Sequence, residues 1–199
     1  MLISTLISFV LTVFTLAGFG DEALKRLGVS RRTAVFIPLS ALFLSPRTLC
    51  FGWESEVSAA CAVPLAAAIA LLINKRTDMR KLIGVFAVSA ALGAPLLFVL
   101  KTGNEALIYA AALIPAAVSV IWGIEEGVCV CSFAPVFASL TGLFVSLAGS
   151  GEAEFVLSEN ETVFAASSLI LIMLTSSSAS FFAEKRAVGK ARPESVITK

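Results

Sequence analysis

Residues 1–32 read MLISTLISFVLTVFTLAGFGDEALKRLGVSRR, an uncharged apolar run from Met1 to Gly20 followed at once by a cluster of charge. At about 1.5 Å per residue such a run reaches about 30 Å, the thickness of a bilayer's hydrocarbon layer. A secretory signal opens with basic residues and closes on a small-x-small cleavage site. Here nothing basic precedes the run, and the charges follow it. The stretch therefore reads as a retained helix that enters the membrane from outside and delivers Lys25, Arg26, Arg31 and Arg32 to the cytoplasm.

The rest of the chain repeats that alternation of apolar runs and short charged breaks. Of the 199 residues 58% are apolar and only 15% charged, with a mean hydropathy of +0.94. Soluble domains carry about 25% charged residues, and a chain this short has no aqueous core large enough to hide so much apolar surface. Lipid is the solvent this composition requires. The net charge of +1 gives no general pull toward nucleic acid. Histidine is absent, which removes Ser-His triads, Cys-His pairs and imidazole metal sites. The cysteines Cys50, Cys61, Cys129 and Cys131 form no C-x-x-C pair and read as small packing residues. No metal and no cofactor is expected.

Seven spans follow from the apolar runs, giving an all-α, polytopic helix bundle over residues 1–183 and a basic, disordered tail over 184–199. After Met1–Gly20, the second span is the shortest. Only fourteen residues separate Arg32 from Arg47, so it is read as extending through Thr48 to Trp53, with Arg47 reaching up to the outer headgroups. The third runs from Val57 to Asn74, the fourth from Leu82 to Leu100 and the fifth from Ala106 to Ile124. Glu125, Glu126 and Gly127 are then expected to turn the chain into a sixth span from Val128 to Ala148. The acidic loop GSGEAEFVLSENET leads to the seventh, Val163 to Ala183.

Charge placement tests this division. Thirteen Lys and Arg residues fall on one side, from Lys25 and Arg26 through Lys75, Arg76, Arg80 and Lys81 to the tail, and only Arg47 and Lys101 on the other. Basic loops stay in the cytoplasm, so the amino terminus is predicted outside and the carboxyl terminus inside. A re-entrant second segment would place the first two basic loops on opposite faces and destroy the asymmetry. Asn160-Glu161-Thr162 forms a glycosylation sequon on the predicted outer side.

No acidic or basic residue lies near the centre of a span, which argues against a pump or a channel with charged filter rings. Prolines do lie there: Pro38, Pro64, Pro95, Pro115 and Pro135. Each removes a backbone donor and can free a carbonyl for a solute, although membrane helices also tolerate proline in plain packing. The last span carries Ser167, Ser168, Thr175, Ser176, Ser177, Ser178 and Ser180, which can line a polar face or tie helices together. Solute-path candidates are therefore Pro64, Pro95, Pro115, Pro135, Ser167, Thr175 and Ser176. The small residues of AVSAALGA, Ala87 to Ala94, predict close helix contact.

One enzyme-like motif stands apart. Gly18-Phe19-Gly20-Asp21 matches the G-x-G-D signature of intramembrane aspartyl proteases and prepilin peptidases, whose chemistry needs two carboxylates sharing a proton. The only other aspartate is Asp78, in KRTDMRK, and the two motifs come in reversed order relative to the prepilin peptidases. The plainer reading is that Asp21 and Glu22 open a short amphipathic segment paired to Lys25 and Arg26.

The chain also resembles a family of uncharacterised archaeal and bacterial multi-pass membrane proteins, a domain of unknown function. The likeness runs through LGVS, EVSAACAVPLAAAIALL, IYAAALIPAAVS, ASLTGLFVSLAG and ETVFAASSLILIML. Where that family has Asn-Val-Gly-Gly and Thr-Phe-Asp-Gly, this chain has Glu56-Val57-Ser58-Ala59 and Thr162-Val163-Phe164-Ala165. The resemblance implies a fold and a prokaryotic inner (plasma) membrane, and it lends no activity. The expected function is non-enzymatic binding or transport of a small solute. A structural partner for another membrane protein, or for a second copy, is the alternative, and the protease is the remote one. The expected partner throughout is the lipid bilayer.

Overall fold

The computed structural model describes residues 2–44, 48–51, 55–75, 79–150 and 155–190. They form eight helices and one small sheet: α1 (Leu2–Leu16), α2 (Asp21–Leu27), α3 (Arg31–Leu44), β1 (Thr48–Phe51), β2 (Ser55–Ser58), α4 (Ala59–Lys75), α5 (Met79–Thr102), α6 (Glu105–Ile121), α7 (Ile124–Gly149), β3 (Val156–Leu157) and α8 (Glu159–Lys190). Three helical segments are long and apolar enough to cross a membrane: α5, α7 and Glu159–Ser178 of α8. The bent α1–α2 pair makes a fourth if it is one span, and α4 and α6 are shorter apolar helices.

Four expected boundaries move, each for a local reason. The first apolar run does not stay helical to Gly20. It breaks after Leu16, because Gly18 (φ 86°) and Gly20 (φ 83°) take left-handed conformations that swing α2 through 85°. The second span was expected to remain helical to Trp53. Instead α3 stops at Leu44 and Thr48–Phe51 is a strand, paired antiparallel with Ser55–Ser58. Thr48, Cys50 and Phe51 suit a strand. Glu125, Glu126 and Gly127 do not turn the chain. The turn comes earlier, at Trp122 and Gly123 (φ 139°), and both glutamates sit in the first turn of α7, where carboxylates favour the positive helix end. At the far end, α8 starts at Glu159 rather than Val163 and stays helical to Lys190, through the first residues of the expected tail; residues 191–199 lie outside the described residues.

The sheet and the charged turns mark opposite ends of the bundle. At one end β2 lies between β1 and β3, Ser139 Oγ donates to the Val156 carbonyl at 2.7 Å, and Asn160 Nδ2 donates to the Leu100 carbonyl at 2.9 Å. At the other, the Gly20 amide donates to Ser177 Oγ at 3.1 Å and Lys81 pairs with Glu126. The starts of α4, α6 and α8 thus lie with the end of α5, and the starts of α5 and α7 lie together at the opposite pole. Successive helices from α4 to α8 alternate in direction.

Small residues set how closely the helices approach. A Cβ at Gly93 would lie 3.0 Å from the Phe137 carbonyl carbon, so α5 and α7 approach backbone to backbone within the Ala87–Ala94 stretch. The main core gathers Val85, Leu92 and Leu96 of α5 with Val130, Phe133 and Ala134 of α7 and Phe164 of α8. Phe86 lies against Phe133, with ring centroids 5.0 Å apart. Large apolar side chains on the outside, among them Phe36, Phe43, Phe98, Val120 and Phe144, stay exposed, as hydrocarbon rather than water requires.

Candidate functional site

α7 and α8 pack against each other, α4 packs against both, and α3 packs against α1 and α4. Between these helices, under α2, is a cavity of about 600 Å³. Its walls are Leu11 and Thr15 of α1, Ala23, Leu24 and Leu27 of α2, and Thr33, Ala34, Ile37, Pro38 and Ser40 of α3. Val63, Pro64, Ala67 and Leu71 of α4, Ile124, Val128 and Ser132 of α7, and Leu169, Ile172 and Met173 of α8 also line it, with the more exposed Phe36 of α3 and Ala62, Ala66 and Ala70 of α4 along its flank. Drug-sized ligands occupy cavities of roughly 300–1,000 Å³.

α2 closes one end of this chamber by virtue of its amphipathic pattern. Ala23 and Leu24 are buried against it, while Glu22, Lys25 and Arg26 point away. Gly28 (φ 67°) ends the helix and returns the chain to α3. Asp21 is clasped by Arg31, whose Nε donates to Oδ1 at 3.0 Å while its Nη2 meets Oδ2. The expected partners Lys25 and Arg26 are not the ones the clasp uses. The Arg31 hydrogen bond holds the Asp21 carboxyl below its ordinary value, so the carboxylate stays ionised. A protease dyad needs a shared proton; Asp78, the second candidate, lies outside the described residues.

Of the solute-path candidates the chamber takes Pro64 alone, joined by Pro38. Pro115 and Pro135 are buried in helix contacts, and Pro95 faces outward from α5. Thr175 Oγ1 donates to the Leu171 carbonyl at 2.9 Å and Ser176 Oγ to the Met173 carbonyl at 2.9 Å, so both hydroxyls serve their own helix. Ser167 lines a second cavity, of about 500 Å³, with Ile7, Tyr109, Leu113 and Leu171. Its hydroxyl and that of Ser89 are buried without a hydrogen-bond partner among the described residues.

A third cavity, of about 350 Å³, is polar: Arg26, Lys81, Ser119, Trp122, Glu125 and Glu126 line it. Lys81 Nζ donates to Glu126 Oε1 at 2.8 Å, with the lysine side chain 57% exposed and the carboxylate 7%. Ile124 belongs to the walls of both this cavity and the main chamber.

The remaining polar motifs act in packing. Cys129 and Cys131 are buried, and Cys61 Sγ lies 3.1 Å from Thr162 Oγ1. The sequon residue Asn160 spends its amide on Leu100, and Glu161 and Thr162 are buried. Among the described residues no cluster of His, Cys, Asp or Glu could hold a metal ion.

The described residues are mostly helical, and three of their helical segments are long and apolar enough to cross a membrane, which is compatible with a membrane protein. No protein-family model, curated protein or solved structure matches the chain.

Proposed function

We propose that the protein binds a small solute inside the bilayer and passes it through the chamber between α3, α4, α7 and α8. The observation that carries this reading is the chamber itself, about 600 Å³ of space walled by six helices and almost wholly apolar. An assembly partner would use the outward apolar side chains that lipid covers equally well, so those faces favour neither role. The Arg31 clasp gives Asp21 a structural task without calling on catalysis.

The chamber sits, on this reading, in a seven-span bundle with the amino terminus outside and the carboxyl terminus in the cytoplasm. The thirteen-to-two division of Lys and Arg supports it, as does the alternation of helix direction from α4 to α8. α3, with 14 residues, rises only about 21 Å and needs local thinning of the bilayer. The inner membrane of a prokaryote, in the family the chain resembles, belongs to the same proposal.

Purified protein in liposomes tests the binding role. Saturable uptake, or a thermal stabilisation that depends on solute concentration, is expected from some member of a broad solute set. A complete set with neither response contradicts it.

A further inference from the structure

The chamber walls restrict the chemistry of the occupant. They contain no Asp, Glu, Lys or Arg. Four hydroxyls line it, and all four are engaged. Thr15 Oγ1 donates to the Leu11 carbonyl at 2.8 Å, Ser40 Oγ to Ile37 at 2.8 Å and Ser132 Oγ to Val128 at 3.0 Å; Thr33 Oγ1 is hydrogen-bonded to Ser30 Oγ at 2.8 Å. A sugar, an amino acid or an ion would shed its water here and meet no charged side chain, with the protons of Thr15, Ser40 and Ser132 already spent on carbonyls, a cost that disfavours strongly polar solutes.

The flank between α3 and α4 leads to the same occupant. Ala62, Ala66 and Ala70, four residues apart on one face of α4, are exposed and line the chamber. Phe36 of α3 lines it as well and is 68% exposed. The chamber therefore opens on the apolar side of the bundle rather than only toward its charged pole. Leu27 and Thr33, on the wall next to that pole, adjoin Arg26 and Arg32 in sequence, whereas Arg31 is held by Asp21. Basic side chains at headgroup level attract the phosphate of an anionic lipid.

We infer that the chamber holds one acyl tail of an anionic membrane phospholipid, admitted sideways between α3 and α4 while the headgroup stays at the basic α2–α3 junction. This rests on the solute-binding reading and gives its ligand a class: a hydrocarbon chain drawn from the bilayer, not a polar molecule drawn from water.

The full chain in phosphatidylcholine vesicles, doped with phosphatidylglycerol bearing a mid-chain diazirine, provides the test. After illumination, adducts on Ile37, Ala66 and Ala67 should saturate as the probe fraction rises. Adducts on the outward Phe98 and Val145 should rise linearly. Ala66→Phe, at an exposed position that leaves the fold intact, should lower the chamber adducts by about tenfold without changing those at Phe98 or the unfolding temperature. Val63→Phe, which fills the interior, is the second variant and should act alike. Linear labelling of the chamber overturns the inference. So does saturable labelling by diazirine-bearing hexadecanoic acid or phosphatidylcholine with none by the phosphatidylglycerol, or a second copy of the chain cross-linked across Ala66 in place of lipid. A polar solute whose stabilising effect is lost in Ala66→Phe would overturn the lipid assignment and leave the solute-binding reading standing. Insensitivity of every lipid and solute to both variants would remove both.

Discussion

At Gly127 the α6 and α7 backbones come so close that an added Cβ would lie 2.5 Å from Ser119 Cβ and 2.8 Å from the Pro115 carbonyl oxygen. Gly127→Val is therefore expected to lower stability by about 1–3 kcal/mol or more, the range for forcing extra atoms into a packed contact. Gly149→Ala has open space around it and helix propensity in its favour, and should leave stability unchanged or slightly raised. Thermal unfolding of the two variants in one detergent checks the contrast. In the sequence Gly127 follows two acidic residues and reads as part of a turn; its contact with a helix preceding it is a tertiary fact that no local pattern records. Lys81 is the opposite case, a residue whose charge is legible and whose partner is not. Lys81→Ala strands the buried Glu126 carboxylate and should cost about 1–3 kcal/mol, less than a fully enclosed pair because Lys81 reaches water. Adding Glu126→Gln should recover most of that loss in the double variant, measured by the same unfolding experiment.

α2 is an element whose amphipathic sequence was readable and whose angle was not. DEALKRL shows an apolar and a charged face, but the 85° bend depends on φ values of single glycines and on docking to α8 through Gly20 and Ser177. The Asp21 carboxyl is held below its unfolded value of 3.8 by Arg31, so its contribution to docking is fully present above that pH and fades as pH falls through the lower folded value. The protection of the α2 amides, their exchange rate relative to the intrinsic rate at each pH, should stay constant through the neutral range and fall only below pH 3.8; in Asp21→Asn the protection should already be lower at neutral pH, without that acid-dependent step. α3 shows the converse limit. Its apolar pattern continues past Pro46, and hydropathy alone cannot distinguish a buried strand from a further turn of helix in a run that short. The pairing of Leu49 with Val57, in a hairpin that also carries β3, is visible only in three dimensions.

For the whole molecule, composition pointed to apolar helices and the apolar runs marked most of those the structure contains, three of them long enough to cross a membrane. The chamber was hidden, since its walls are mostly small and aliphatic side chains from six helices whose neighbours the order of residues does not specify. Prolines marked it poorly. Pro38 and Pro64 line it, but Pro115 and Pro135 serve contacts and Pro95 faces out. The proposed direction of the bundle rests on the Lys and Arg division, and it decides whether Arg26 and Arg32 meet cytoplasmic headgroups. Single cysteines at Ser30, Lys101, Trp122, Gly151 and Ser195, probed with a membrane-impermeant maleimide in right-side-out vesicles, measure it directly. The seven-span arrangement predicts labelling at 101 and 151 from outside and at 30, 122 and 195 only after lysis; labelling of 101 and 122 from the same side, or of 30 from outside, would contradict it.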